Sequence, residues 1–301
     1  MSSRLLVATL VANPLRPTLS DALIARAAQA LPAVVSTQWL GAGVAADLFF
    51  EGDDAALWRV REQLPVLLGP QAIDVIAQPA AARRKKLLLA DMDSTLIGQE
   101  CIDELAARVG IGPRVAAITE RAMRGEIAFE PALRERVALL AGLPEAVIAE
   151  VIEARITLTP GARTLVQTMR AGGAYAAIVS GGFTQFTGVI AERLGFHEHR
   201  ANRLIVENGV LAGRVAEPIL GRDAKLATLR ELVAQRGLQP NETLAAGDGA
   251  NDLAMLAEAG LGVAYRAKPA VAAAAHARIE HSDLTALLYA QGFERSAFVE
   301  G

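Results

Sequence analysis

The sequence predicts an α/β protein: a doubly wound, mainly parallel sheet carrying a small helical cap, preceded by a smaller α+β unit. Three observations carry that prediction. Short apolar runs at 87–90, 175–179 and 243–246 each end on a polar or glycine-rich turn and alternate with segments of helical period. Between the first two runs, at about residues 99–155, a helical pattern is punctuated by proline at helix starts and glycine past helix ends. Ahead of them, residues 1–80 read in the order βαββαβ.

The chain has 301 residues and is 52% hydrophobic, enough for two moderate domains with real cores. Much of that figure is alanine, and no apolar run is long enough to span a bilayer. A formal net charge of -3 excludes a general attraction to nucleic acid or to anionic membrane, so neither is expected as a partner. The single cysteine, Cys101, forbids an intrachain disulfide and fits a reducing cytoplasm; its expected role is packing. The apolar start of the chain lacks a small-residue cleavage site and reads as a first strand rather than a signal peptide.

In chain order, 5–12 is a strand, and 18–31 is a helix with Thr18 or Ser20 as N-cap and Leu23, Ile24, Ala27 and Leu31 on one face. Strands at 34–40 and 44–50 are joined by Gly41-Ala42-Gly43. A helix capped by Asp53 or Asp54 runs to about Leu68, and 72–77 is the last strand. This order suggests a ferredoxin-like sheet. By element order alone it is similar to ACT-type small-molecule regulatory domains, while a packing or dimerisation module, and with it a homodimer, fits equally well. Residues 81–86 form the linker, and the basic run Arg83–Lys86 reads as a solvated segment.

The second domain occupies 87–301. The cap holds four short helices: one with Ile102, Leu105, Ala106 and Val109 on a face, one from Pro113 to Gly125, one from Pro131 to Gly142, and one opened by Pro144. A crossover helix at 161–170, the strand 175–179 and a helix at 183–194 follow. Asn208-Gly209 marks a hairpin between 204–206 and 211–215. A helix bearing Lys225, the strand 243–246, a helix at 253–259 and a final run of short strands and helices close the sheet. His197 and His199 form an H-x-H pair with no third metal ligand nearby, so a solvated loop is expected there.

Strand ends gather the chemistry. Asp91 and Asp93, Ser180, Lys225, and Asp248 with Asn251 and Asp252 all fall at the carboxyl edge, where open α/β sheets bind ligands. A carboxylate can attack phosphorus, and a second can serve the leaving oxygen. A serine hydroxyl and glycine N–H groups can hold phosphate oxygens, and a lysine supplies a point charge. Carboxylates crowded at one edge ask for a cation. Taken singly, Ser180 could equally be a helix cap and Asp252 a first-turn dipole partner.

D-x-D-S-T at 91–95, S-G-G-F at 180–183, a lone downstream lysine and G-D-G-x-N-D at 247–252 together resemble the haloacid-dehalogenase-like hydrolase superfamily across 87–292. The resemblance implies a Rossmannoid sheet with Asp91 as nucleophile and Asp93 as general acid/base. It implies Mg²⁺ held by Asp91, the backbone carbonyl of Asp93 and Asp248. Phosphate would be bound by Ser180, Gly181 and Lys225, with Asn251 and Asp252 holding the lysine and the metal shell. Inside the cap, Glu100, the segment T-E-R-A-M-R-G-E-I-A-F-E and Arg136 resemble the phosphoserine phosphatase family. That likeness implies that Arg136 binds the substrate carboxylate and Glu100 its ammonium, while Met123 and Phe129 close over the molecule. From spacing alone, Glu100 could be a solvated helix residue, Arg136 could pair with Glu135 or Glu130, and Met123 and Phe129 could be cap core. The implied reaction is Mg²⁺-dependent hydrolysis of O-phospho-L-serine through an aspartyl-phosphate, the last step of phosphorylated serine biosynthesis. Transfer of the phosphoryl group to another alcohol such as homoserine, or a non-catalytic amino-acid sensor, are the alternatives.

Overall fold

A computed structural model describes residues 3–124 and 126–300, with only the backbone of Met123. The first unit comprises β1 (Arg4–Ala12), α1 (Asp21–Gln29), β2 (Val34–Gly41), β3 (Ala45–Gly52), α2 (Asp54–Leu68) and β4 (Ile73–Pro79). Its strands pair antiparallel in the order β2-β3-β1-β4, the ferredoxin-like arrangement expected from the element order. Ser20 has extended backbone angles and its side chain accepts from the Leu23 N–H, so α1 begins at Asp21 rather than at Thr18. Asp53, not Asp54, caps α2 through the Ala56 N–H.

Strand alternation decides what this sheet buries. Leu6, Ala8, Leu10, Leu48 and Phe50 face α1 and α2 and pack on Ile24, Ala27, Leu57 and Leu64. The opposite face presents Val11, Ala45 and Ile76, and these belong to the large core of the second unit. The same face carries buried Thr9, whose hydroxyl donates to Asp47 at 2.7 Å. From the β4 edge, Asp74 accepts the N–H groups of Glu280, His281 and Ser282. The two units therefore share a continuous interior.

That packing corrects the reading of Arg83–Lys86 as a solvated segment. Arg83 pairs with buried Asp47 at 2.6 Å. Lys85 is buried, donates to the carbonyls of Ala82 and Asn241, and has its pKa lowered to about 8 by burial. Arg84 and Lys86 stay exposed, over the Phe293 ring and beside Glu242. A short connection between two sheets that pack together must run along their seam, so its long side chains are drawn into it.

The second unit begins with β5 (Leu87–Ala90). The cap follows: α3 (Cys101–Arg108), α4 (Gly112–Met123), α5 (Phe129–Ala138) and α6 (Ala146–Arg155). Then come α7 (Ala162–Ala171), β6 (Tyr175–Phe183), α8 (Thr184–Leu194), β7 (Glu198–Asn202), β8 (Leu204–Glu207) and β9 (Val210–Val215). The chain continues through α9 (Arg222–Gln235), β10 (Thr243–Gly247), α10 (Leu253–Glu258), β11 (Leu261–Tyr265), α11 (Pro269–Ala274), β12 (Ala277–Ile279) and α12 (Ala286–Ala290). The parallel sheet runs β12-β11-β10-β5-β6-β7. Connections leave β5 toward β6 on one side, and the chain returns to β10 on the other. The order reverses at β5, which opens a crevice at its carboxyl end. Gly125, expected to end a cap helix, lies outside the described residues.

Strand β7 was not foreseen, because Glu-His-Arg-Ala-Asn has neither an apolar run nor alternation. It is an edge strand, held by backbone pairing with β6. The two histidines consequently lie on or beside a strand rather than in a loop. His197 stacks on Tyr175 and accepts from the Ala176 N–H, and His199 pairs with Thr187 at 2.9 Å. The β8–β9 hairpin forms around Asn208-Gly209 and is sewn to the cap by bonds from Gly142 to Leu211 and from Glu145 to Gly209.

Candidate active site

Asp91 follows directly on β5, and its N–H still donates to Ala246 on β10, so the sheet itself fixes its backbone. Its Oδ1 accepts the Met92 N–H at 2.7 Å. The carbonyl of Met92 then accepts from Thr95, Leu96 and Ile97, which turns the chain sharply under the cap. Lys225, in the first turn of α9, is fully buried. Its Nζ lies 2.7 Å from Asp91 Oδ2 and 2.6 Å from Asp252 Oδ1.

Asp252 occupies the N-cap position of α10 without capping it. Its second oxygen accepts the Gly249 N–H at 3.0 Å. The dipole-partner reading thus gives way to one in which Asp252 anchors both the lysine and the loop after β10. Gly247 is obligatory beside it, because a Cβ there would sit 2.3 Å from the Asp252 carboxyl carbon. Ser180 does not cap α8, whose N-cap is Phe183. Its Oγ accepts from the Gly182 N–H at 2.9 Å, leaving its own proton to donate into the cavity. Buried Asn202, at the end of β7, clamps this turn by donating to the carbonyls of Gly181 and Leu220 and accepting from the Leu220 N–H. Asn202 escaped sequence reasoning because β7 did.

A cavity of about 620 Å³ separates this floor from the cap. Asp91, Asp93, Asp248, Asn251, Ser180 and Gly181 line it from below, and Glu100, Phe129 and Arg136 from above. Lys225 and Asp252 lie behind the floor. Asp103, Thr119, Gly182 and Lys268 also line the cavity; no role was assigned to them from sequence, although Thr119 and Gly182 lie inside the motifs. Arg136 donates to Thr119 Oγ1 and to the Ala132 carbonyl. Its suspected surface partners are occupied elsewhere, Glu135 by Arg121 and Glu130 by Arg134. The Phe129 ring lies over Gly181, where an added Cβ would meet it at 3.4 Å. The side chain of Met123 lies outside the described residues.

Burial, opposed in part by Lys225, raises the Asp91 carboxyl well above the ordinary carboxylate range. Burial and then the charge of Glu100 raise Asp93 to about 7, and burial and then Asp252 raise Asp248 to about 6. Burial works against the Lys225 ammonium, but Asp91 and Asp252 outweigh it and push it up to about 12. One lysine is thus set against more negative charge than it can cancel. Carboxylate oxygens of Asp91, Asp248 and Asp252 come within 4.8 Å of one another. Asp91 and Asp248 line the cavity while Asp252 lies behind its floor, so these two are the carboxylates placed to hold a cation. Hard oxygen donors with unrelieved negative charge fit a magnesium-type ion.

Gly182 gives a direct test of this geometry. A Cβ there would stand 2.8 Å from Asp93 Oδ2 and 3.1 Å from Ser180 Oγ. Gly182→Ala is expected to displace the Asp93 carboxyl and lower kcat about 10²-fold, with a thermal midpoint close to wild type. Unchanged turnover would mean that Asp93 is not held where its chemistry needs it.

Residues 88–257 match the family model described as haloacid dehalogenase-like hydrolase. The chain is 46% identical to a phosphoserine phosphatase of Streptomyces coelicolor over 223 residues, 74% of this chain and 54% of that one. It thus spans about half the length of that relative. It is 43% identical to a phosphoserine phosphatase of Archaeoglobus fulgidus over 236 residues, 78% of this chain and 68% of that one. Among solved structures, a HAD family hydrolase from Salmonella enterica serovar Typhi superposes with a TM-score of 0.83 at 28% identity, covering 95% of this chain and 97% of that one.

Proposed function

The chain belongs to the haloacid dehalogenase-like hydrolase family, and on that premise we propose that it is a Mg²⁺-dependent phosphatase releasing L-serine and phosphate from O-phospho-L-serine. One observation carries the reading. A single cavity has the Asp91 and Asp93 carboxylates on its floor and, facing them from the cap, a cation, Arg136, that has no carboxylate partner among the described residues, and an anion, Glu100. A phosphate ester that also bears a carboxylate and an ammonium matches all three sets of groups. The named activities of the Streptomyces and Archaeoglobus relatives support the same substrate.

In this mechanism Asp91 attacks phosphorus in line and forms an aspartyl-phosphate. Lys225 opposes the protonation of Asp91 that burial favours and lends positive charge as the transition state forms. The Ser180 hydroxyl and the Gly181 N–H hold phosphate oxygens. Asp93 is raised into the neutral range, so it can protonate the leaving serine oxygen and afterwards take a proton from the attacking water. Asp91, Asp248 and the Asp93 carbonyl would hold Mg²⁺, whose charge would offset repulsion between the carboxylate and the phosphate. Arg136 grips the substrate carboxylate, Glu100 pairs with its ammonium, and Phe129 excludes water. Asn251 and Asp252 steady the phosphate and lysine ends. A cytoplasmic location belongs to the same proposal and rests on the lone reduced cysteine. Self-association through residues 1–80 rests on β2, an edge strand that exposes Val35 and Trp39.

The test is phosphate release across a panel of phosphoserine, glycerol phosphate and a sugar phosphate, with and without Mg²⁺. Strong preference for phosphoserine is expected; a flat profile would remove the serine assignment while leaving the phosphatase chemistry standing.

The raised carboxyl groups also make stability depend on pH. Asp93 and Asp248 bind protons more tightly when folded than when unfolded, at about 7 and about 6 against an ordinary 3.8. Their contribution is therefore most favourable in acid and is lost as pH rises through those values. In chelator the thermal midpoint is expected to fall between about pH 5 and about pH 8. Mg²⁺ should raise it more at the alkaline end, where the carboxylates are charged. A midpoint indifferent to Mg²⁺ at both ends would count against the cation site.

A further inference from the structure

Glu100 stands at the N-cap of α3, with φ -96 and ψ 114, yet makes no capping hydrogen bond with its side chain. Glutamate lies outside the small polar set that serves as N-cap. Here its carboxylate is engaged on the cavity side instead. Oε1 accepts from the Ser94 hydroxyl at 2.7 Å, and Oε2 has no hydrogen bond or ion pair among the described residues. Both residues line the cavity.

Ser94 is held there by an unusual backbone. Its φ is +54, in the left-handed region where glycine, asparagine and aspartate are at home. Its N–H donates to the Gln99 carbonyl at 3.2 Å, and the Gln99 side chain is tied to Thr157 by two hydrogen bonds. Immediately before it, Asp93 Oδ1 accepts the Cys101 N–H. Successive residues of the turn thus grip the N-cap and the first residue of α3. Strain of this kind persists only where surrounding structure enforces it, and it concentrates at sites that need one geometry. Glycine would satisfy the backbone better than serine, but only serine brings the hydroxyl.

We propose that Ser94 is a specificity-positioning residue: its hydroxyl occupies one oxygen of Glu100 and presents the other to the ammonium of an amino-acid phosphate. A carboxylate with one oxygen bonded keeps its charge and loses rotational freedom, so it meets an ammonium at less entropic cost. The inference rests on the phosphoserine reading above and adds the residue that makes the ammonium contact selective.

The full-length protein tests it with two substrates, O-phosphoserine and its deaminated analogue 3-phosphonooxypropanoate, which keeps the phosphate and carboxylate. Wild type, S94A, S94G and E100Q are compared by kcat/KM. S94A and S94G both remove the hydroxyl but differ in how they suit the left-handed backbone, so a shared effect belongs to the hydroxyl. The preference for phosphoserine is expected to fall about tenfold in both, through KM more than kcat, and neither change should add to the loss in an E100Q background. Preference retained in both variants, lost in only one, or lost through equal damage to both substrates would overturn the proposal. A wild-type enzyme without preference for phosphoserine would instead remove the reading beneath it, a result visible before any variant is made.

Discussion

Asp91→Asn is expected to lower phosphate release from phosphoserine by about 10⁴-fold or more and to leave the fold intact. Asparagine matches aspartate in shape; its oxygen can still accept the Met92 N–H that Asp91 Oδ1 accepts now, while its NH₂ replaces Oδ2 beside the Lys225 ammonium and gives up that contact. What is lost is the anion proposed as the nucleophile. What is also lost is one negative charge from a buried group that Asp252 repels and burial already disfavours. Lys225 keeps its contact with Asp252. In chelator the thermal midpoint of this variant should therefore equal or exceed that of wild type, while Mg²⁺ should stabilise it less. Rapid-quench phosphate release and thermal melts check both halves. Substantial multiple turnover would exclude Asp91 as nucleophile, and a collapsed midpoint would show that its charge is needed for folding.

Lys225→Met carries the other large effect, and here stability falls along with activity. Methionine fills much of the same space but leaves the carboxylates of Asp91 and Asp252 facing each other without a counter-charge. Removing one partner from a buried ionic cluster costs about 3–5 kcal/mol. The Lys225 pKa is raised to about 12, so its own stabilising contribution is complete below the unfolded value of about 10.4 and is lost only as pH climbs through 12. Between about pH 5 and pH 8 the wild-type lysine does not titrate. Any pH dependence added by the variant comes from the stranded carboxylates, which must protonate to coexist, so the deficit should shrink toward acid. Adding Asp252→Asn should recover part of the loss by removing one of the two charges. Chemical denaturation across pH gives the measurement. A deficit that is constant with pH, or unrelieved by the second substitution, would mean that packing rather than charge made the loss.

The two effects differ in sign for stability because the cluster is unequal. It has more buried carboxylates than ammonium groups, so removing an anion relieves it and removing the cation exposes it. The same imbalance underlies the expected Mg²⁺ dependence, and all three measurements should move together if the cluster is read correctly.

Much of the second unit was legible in sequence because its signals are local. Leu87–Ala90 is a run of four apolar residues, and it is a central strand buried on both faces. Asn208-Gly209 demands a hairpin, and one forms. Proline at helix starts and glycine past helix ends marked out the cap helices. Legibility failed where a segment owes its conformation to neighbours. β7 is polar and is a strand only because β6 offers it partners. Ser20 rather than Thr18 starts α1 because only its side chain reaches the Leu23 N–H. The Arg83–Lys86 run looked solvated because charge density says nothing about which surface a chain lies on.

By itself the sequence determined which candidate groups gather at one edge of the sheet. Asp91, Asp93 and Asp248 stand just beyond the ends of short strands and Ser180 among the last residues of β6, and strand direction alone delivers strand ends to one edge. Only the tertiary structure decided how those groups divide their hydrogen bonds. Lys225 meets Asp91 and Asp252 because α9 and the loop after β10 pack against the end of β5. Arg136 faces the cavity, rather than a glutamate on its own helix, because α5 lies across the sheet's open edge. Glu100 is spared from capping α3 because a left-handed turn at Ser94 supplies it with a donor. Such assignments depend on the contact of segments far apart in the chain. Each polar atom there has several partners of similar strength within reach, and the fold selects among them by distance.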